Sequence, residues 1–547
     1  MNLLPDIIYR NYKGNSFSGK LYTHIMYIDI IGFTAMTEQF MQNSKEGAEK
    51  LSIFLNEIYQ PVIELVKNYQ GDVISFAGDS LCVLFDNTMT SHQILECAVL
   101  IEETFTEIKN KMIDKENVQI GVKIGLAFGH VHWEICGKEN FRQYYFRSQT
   151  ITNAYKAQAI CHDTEIKSHK SFTKPVLNKR PVEEFTTLRK EMLNDLKKDS
   201  SLIQKTQATT DIDPQTLEAI QAEFYPLIHD TYSYKGEFRQ IVCVFISINA
   251  NIDMFVKAIN ELIVLSEDYG AYLNKIDVID NPGPVMLVFG APVSYENNVY
   301  RAQALVNHFR ISVKKIVKDY ENFMANKSVD LSSRDYTIEL KAGISFGNAF
   351  AGFVGSSLRS EYTCLGDTVN VAARLCMAAE WNTVLATKEI VDLSKNWFQY
   401  EAKKALPLRG KSFELEVFAL NENVVRTDDF YDNPFSGREI ELIFLRKQIT
   451  TINKGRAPYA IYIYGEAGVG KSRLIHEMIR KEANHINFIH IYTDNIIKKS
   501  FNPIKSWINK YFKIDHVMIP AERNTIFDVN YELFLKQLKH SKDKRSV

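Results

Sequence analysis

The stretch VKIGLAFGHVHWEICG, residues 122–137, recurs 218 residues later as LKAGISFGNAFAGFVG, residues 340–355. Lys123, Gly125, Phe128, Gly129 and Gly137 fall on Lys341, Gly343, Phe346, Gly347 and Gly355. At the same offset Tyr144, Thr150 and Ala154 meet Tyr362, Thr368 and Ala372. Self-similarity at one fixed spacing means that the chain carries two copies of one domain.

Outward from this repeat, each copy reads alike. In the first, an apolar strand at 24–31 precedes a helical stretch at about 34–68, a hairpin at 72–86 turning at Gly78-Asp79, a helix at about 90–114 and a strand-rich segment at 119–131. In the second, RQIVCVFISI (239–248) is the opening strand and LNKIDVIDNPGPVMLVFG (273–290) the hairpin. Strands mixed with crossing helices give an α+β class, and two related copies predict an intramolecular pseudo-dimer. The organisation is then an N-terminal extension (1–20), a first domain (21–182), a charged, Ser/Thr-rich linker with some helix (183–235), a second domain (236–423) and a different third region (424–547).

The third region contains APYAIYIYGEAGVGKSRLIHEMI, in which an expected strand leads into Gly465-x-x-x-x-Gly470-Lys471-Ser472 and a helix. That is the phosphate loop of a P-loop α/β NTPase, whose backbone N–H groups cradle phosphates. No apolar strand ending in two acids follows; IHIYTDN (489–495) is the nearest and lacks the second acid. The module reads as the start of a longer one, without the parts that ATP hydrolysis needs.

Bulk composition narrows the function classes. Lys plus Arg number 65 against 66 Asp plus Glu, so nothing global points to nucleic acid or an anionic membrane. Seven scattered cysteines without a C-x-x-C pair read as reduced core residues of a cytosolic protein. The longest apolar run, IVCVFISI at 241–248, is far short of the ~18 residues of a membrane span. Pro5, Asp6 and Arg10 interrupt any signal peptide.

Chemistry enters with HIMYIDIIGFTAMTEQF (24–40) and GDVISFAGDSLCVLF (71–85). Each sets a carboxylate, Asp29 or Asp79, beside an apolar strand and next to a glycine break. An isolated buried carboxylate is costly, so a cation is expected next to Asp29. Alone, Asp29 could cap a helix and Asp79 could be an ordinary turn residue. If the opening strand is the hairpin's neighbour, the two converge and repel unless a cation such as magnesium lies between them. The break at Gly32-Phe33-Thr34 adds free N–H groups suited to phosphate.

The second copy has Ser247 where Asp29 would recur and no counterpart of Gly-Asp-Ser. It has instead SEYTCLGDTVNVAARL (360–375), which puts Thr363, Asp367, Asn370 and Arg374 on a turn entering a helix, with 370 and 374 on one face. The first copy has Thr152 and Lys156 at those two places. Acids on one copy and Asn/Arg on the other imply one composite site at their interface.

These motifs, D-I-x-G-F-T from Asp29, F-A-G-D from Phe76 and Y-T-x-L-G-D-T-V-N-V-A-A-R from Tyr362, resemble those of class III nucleotidyl cyclases. Two unequal copies followed by F-x-G-R-E (435–439) and a phosphate loop resemble the soluble adenylyl cyclases of that family, over nearly the whole chain from about residue 20. The resemblance implies two ferredoxin-like domains. It implies that Asp29, Asp79 and Ile30 hold two divalent cations, magnesium or else manganese or calcium. ATP would be converted to 3′,5′-cyclic AMP and pyrophosphate by in-line attack of the ribose 3′-hydroxyl on the α-phosphate. Asn370 would orient the ribose, Arg374 would meet charge on the phosphoryl oxygens, and Lys123 with Gly32, Phe33 and Thr34 would contact the phosphates.

Adenine shows an acceptor at N1 and a donor at N6, which Lys275 and the Thr363 hydroxyl complement; guanylyl cyclases resemble this layout with Glu and usually Cys there. Lys275 and Thr363 could also be ordinary strand residues. In bicarbonate-responsive members a Lys and an Arg line the degenerate half of the interface; Ser75 and Tyr155 stand here, so bicarbonate activation is expected to be absent or to use other groups. The resemblance further implies a soluble protein, of the cytoplasm or a cilium or flagellum, in which a monomer suffices, with a second nucleotide at Gly465, Gly470, Lys471 and Ser472. A catalytically idle nucleotide-sensing scaffold and a guanylyl cyclase remain the alternatives.

Overall fold

The computed structural model describes residues 2–32, 37, 40, 47–116, 120–162, 164–172, 183–190, 213–229, 236–277, 283–295, 297–326, 336–407, 414–424, 435–453, 461–464, 470–482, 504, 508, 531 and 532. The chain divides into two compact units, Met1–Val425 and Arg426–Val547.

In the first unit, helix α1 (Asp6–Lys13) precedes strand β1 (Ser18–Ile31), α2 (Gly47–Asn68), the hairpin β2 (Gly71–Ala77) and β3 (Ser80–Phe85), and α3 (Ser91–Glu116). Strands β4 (Gly121–Lys138) and β5 (Phe141–Arg147), α4 (Gln149–Ala159), β6 (Glu165–His169) and β7 (Phe185–Leu188) complete the first copy. Helices α5 (Pro214–Phe224) and α6 (Pro226–His229) lead to the second. There β8 (Glu237–Asn249), α7 (Ile252–Tyr269), β9 (Tyr272–Ile276), β10 (Pro284–Phe289) and α8 (Asn298–Asn326) precede β11 (Glu339–Gly355), β12 (Ser360–Leu365) and α9 (Asp367–Ala378). Strand β13 (Val384–Thr387), α10 (Lys388–Ser394), β14 (Phe398–Pro407) and β15 (Glu414–Val424) end the unit.

The two sheets have the same plan. The first runs β2-β3-β1-β4-β6-β7 with β5 also on β4; the second runs β9-β10-β8-β11-β13-β15-β14 with β12 also on β11. Among the described residues, the β4–β6 and β11–β13 pairs alone are parallel, so both sheets are mixed.

The repeated glycines explain why the motif is repeated. A Cβ on Gly125 would lie 2.0 Å from the Ala154 carbonyl oxygen, and one on Gly343 would lie 2.2 Å from that of Ala372. Each glycine lets a helix, α4 or α9, sit directly on the central strand of its sheet.

Strand period sorts the core. In β1, Met26 and Ile28 point into a cluster with α2 and α3, whereas Ile25 and Tyr27 join Ile241, Cys243 and Phe245 of β8 in a cluster shared by both copies. Residues 242, 244 and 246 point instead into the second copy's own helices. Burial on both faces is why these strands read as unbroken apolar runs. All seven cysteines are buried thiols, and among the described residues no helix is long and apolar enough to cross a membrane.

The N-terminal segment joins this shared core through Leu4, Ile8 and Tyr9. Behind it lies Arg359, fully buried. Its guanidinium donates to the carbonyls of Val73 (3.0 Å), Leu3 (2.9 Å) and Ser360, and to the Tyr144 hydroxyl (3.2 Å).

Two expectations need correction. The stretch 183–235 is more than a partly helical linker: Phe185–Leu188 pairs antiparallel with β6 as the edge strand of the first sheet, and two helices follow. An edge strand needs only one buried face, so polar composition concealed it. In the second unit, the described residues 461–464 form no strand before the glycine-rich motif, and Tyr462 and Tyr464 are almost fully exposed. A lone strand leaves its backbone groups unpaired, and no partner strand lies among the described residues of this unit. What is present is α11 (Glu439–Asn453) against α12 (Lys471–Glu482), joined through Leu442, Leu445 and Leu474.

Candidate active site

Asp29 lies near the end of β1, in register with Ser80 of β3 and Lys123 of β4. Asp79 occupies the β2–β3 turn beside Gly78, whose φ of 67° is the left-handed conformation such a turn requires. The Ile30 N–H donates to the Asp79 carbonyl at 3.1 Å, which ties the turn to the strand. The two acids therefore meet at one end of the sheet.

The partners of Asp29 are neutral. Ser80 Oγ donates to Oδ1 at 2.7 Å and Gln158 Nε2 donates to Oδ2 at 3.0 Å; among the described residues no side-chain cation pairs with it. Burial first, and the neighbouring Asp29 charge second, hold the Asp79 carboxyl well above the usual carboxylate range. The Lys275 ammonium of the second copy acts in the opposite sense on it.

That cross-copy influence has a structural basis. A cavity of about 200 Å³ is lined by Gly78 and Asp79 from the first copy and by Lys275, Thr363, Asp367 and Asn370 from the second. Helix α9 begins at Asp367, just after Gly366 (φ 137°), so Asn370 faces this cavity. Thr363 Oγ1 donates to Asn274 Oδ1 at 3.2 Å, which leaves the hydroxyl's lone pairs for another donor. Lys275 Nζ donates to the Phe76 carbonyl at 3.3 Å and pairs with Asp277 Oδ2 at 3.1 Å.

Other candidates stand further off. Arg374 is half-buried one turn beyond Asn370 on α9, outside the cavity's lining, and Lys123 is half-buried on β4 opposite Asp29. Gly32 has φ 87°, and Ile30 is buried. Phe33, Thr34 and Gly465 lie outside the described residues. Gly470 is exposed with φ 91°, and Lys471 and Ser472 open α12.

The replacement of the Asp29 acid in the second copy also has a position: Ser247 pairs with Lys341 as Asp29 pairs with Lys123. A smaller cavity, about 40 Å³, lies on that degenerate side and includes Ser75, Tyr144, Lys275, Asp277 and Glu361 in its lining. Tyr155 packs edge-on against Tyr27 at 5.4 Å.

Sequence reasoning missed Ser80, Gln158, Asn274 and Asp277. Ser80 directly follows Asp79, and Asp277 lies two residues from Lys275, on the same strand face. Gln158 and Asn274 gave no signal, because their roles depend on contacts across 129 and 89 residues.

Two sheets of one plan, acids on one copy and complementary polar groups on the other define a nucleotide cyclase fold with one composite cleft. The chain belongs to the adenylate and guanylate cyclase catalytic domain family, whose model matches residues 22–198 and again 244–422. It is 24% identical over 589 residues to adenylate cyclase type 10 of Oryctolagus cuniculus, covering 95% of this chain and 35% of that protein. It is also 24% identical over 596 residues to the Homo sapiens protein of the same name, with 95% and 35% covered. The chain thus spans about a third of the length of these relatives. Among solved structures it is similar to a class III adenylyl cyclase-like ATP-binding protein from Pseudomonas aeruginosa, at 14% identity and a TM-score of 0.49, covering 69% of this chain and 85% of that chain.

Proposed function

We propose that the two cyclase domains, an intramolecular pseudo-dimer of ferredoxin-like halves, form one adenylyl cyclase centre that converts ATP to 3′,5′-cyclic AMP and pyrophosphate. The observation that carries this is the single cavity to which Asp79 comes from one copy and Lys275, Thr363 and Asn370 from the other.

The residues present fit a divalent metal. Asp29 and Asp79 offer acceptor-only oxygens, and burial plus mutual repulsion make the pair costly without a cation. Asp29, Asp79 and Ile30 would hold two such ions, which when bound activate the attacking hydroxyl and neutralise phosphate charge. Ser80 and Gln158 keep the Asp29 carboxylate in one orientation by donating to its two oxygens.

The base is read from the second copy. Thr363, its proton committed to Asn274, presents lone pairs to the adenine amino group, and Lys275 donates to N1. Guanine, with its reversed edge, leaves both unmatched. Asn370 hydrogen-bonds the ribose and so aligns the 3′-hydroxyl for in-line attack. Arg374 supplies a guanidinium to the phosphoryl oxygens, and Lys123 with the Gly32-Phe33-Thr34 turn receives the remaining phosphates. The Gly465–Ser472 motif is assigned a second nucleotide on its sequence alone.

The purified chain, assayed with Mg-ATP and with Mn-ATP, should form cyclic AMP. Product no greater than that of an Asp29→Asn control would leave an idle nucleotide-binding scaffold as the reading.

A further inference from the structure

Lys275 stands in the wall between the two cavities and lines both. It and Asp277 are two residues apart along an extended segment, so their side chains leave the same face. Both are 15% exposed, and the Nζ–Oδ2 distance is 3.1 Å. Nζ also donates to the Phe76 carbonyl, at 3.3 Å, on the first copy's hairpin. Asp277 is itself approached by the Ser75 hydroxyl, with Oγ 3.5 Å from Oδ1.

A lysine ammonium has three N–H donors and a flexible four-carbon stem. Here two donors meet acceptors fixed by the fold, one a backbone carbonyl and one a carboxylate on Lys275's own strand segment. Asp277 lines the smaller cavity but not the larger. The third N–H is left for the larger cavity, where the base is assigned to sit.

We propose that Asp277 is a positioning residue for purine recognition: together with the Phe76 carbonyl it holds Lys275 so that one donor faces the substrate base. This rests on the reading that Lys275 reads the base. A lysine free of its carboxylate samples several rotamers, and the entropy of fixing one is then lost from nucleotide binding.

The test uses the full chain with Asp277→Ala, Asp277→Asn and Lys275→Ala, each checked for an unchanged melting temperature. Calorimetric Kd values for ATP and GTP are measured together with KM and kcat. Asp277→Ala should raise KM and Kd for ATP roughly tenfold, the scale of one charge-assisted hydrogen bond, with kcat within about twofold of the parent. The ATP-over-GTP preference should narrow by a similar factor. Asp277→Asn, which keeps the shape and an acceptor oxygen, should recover part of the loss. Adding Asp277→Ala to Lys275→Ala should cost nothing more. If Lys275→Ala shifts ATP affinity and base preference while Asp277→Ala shifts neither, this inference falls and the base reading stands. If Lys275→Ala itself shifts neither, the base reading fails and takes the inference with it.

Discussion

Asp79 and Asn370 lie on different cyclase domains, 291 positions apart in the chain, and line one cavity. The acid proposed to hold a cation and the amide proposed to hold the ribose are thereby brought together within a single polypeptide.

Loss of either half should therefore silence the proposed cyclase activity, and the two losses should not rescue each other. Asp29→Asn removes a carboxylate proposed to hold a metal and should lower cyclic AMP formation about a thousandfold. Asn370→Ala should lower kcat roughly 10–100-fold. A mixture of the two variant chains should show only the sum of their residual rates. Recovered activity in the mixture would place the working site between chains instead.

Base choice should follow two side chains. The double variant Lys275→Glu with Thr363→Cys replaces a donor and an acceptor with groups suited to guanine. Its ratio of kcat/KM for ATP over GTP should fall by roughly 100-fold or more, because mismatched buried polar groups are left unpaired. Wild-type preference for GTP in a competition assay would overturn the adenine assignment.

Glu361 makes stability depend on pH. Burial raises its carboxyl to about 7, against the opposing effects of Arg359 and Lys275, and among the described residues Oε1 has no hydrogen-bond partner. Below the ordinary glutamate value both folded and unfolded chains hold the proton and nothing is lost. Between there and about 7 the unfolded chain releases it while the folded chain keeps it, so stability falls as pH rises. Glu361→Gln abolishes this penalty, on the order of 3 kcal/mol at full extent. The melting-temperature gain of the variant over the parent should grow from pH 5 to pH 8; a gain independent of pH would show that Glu361 does not titrate in this range.

Gly343→Ala tests the seating of the helix that carries Asn370. The new methyl would meet the Ala372 oxygen at 2.2 Å, a backbone atom that cannot swing away. Helix α9 would have to lift from β11, at a cost of about 1–3 kcal/mol. Unfolding in urea should show that loss, and kcat should fall with it, since Asn370 moves with its helix. A variant as stable and as fast as the parent would contradict the close contact.

The repeat was legible because sterics at Gly125 and Gly343 leave no other residue in either copy. Asp29 and Asp79 were legible because a charge in an apolar strand is conspicuous, and the period of a hairpin fixes where it goes. The β-rich edge at Phe185–Leu188 was not, since a half-exposed strand and a polar linker share a composition. Asp277 was overlooked for a different reason: its meaning lies in the ammonium it holds and the two cavities that ammonium divides, neither of which exists in one dimension. The strand expected before the Gly465–Ser472 motif followed from that motif, and a motif carries no information on pairing.

Arg359 sets a condition on how the chain is made. It donates to the carbonyl of Leu3, which left the ribosome 356 residues earlier. At ~5–20 residues per second, translation separates the two by roughly 20–70 s. Throughout that interval Leu4, Ile8 and Tyr9 have no second domain to close over them, and the nascent first half waits with its inner side wet.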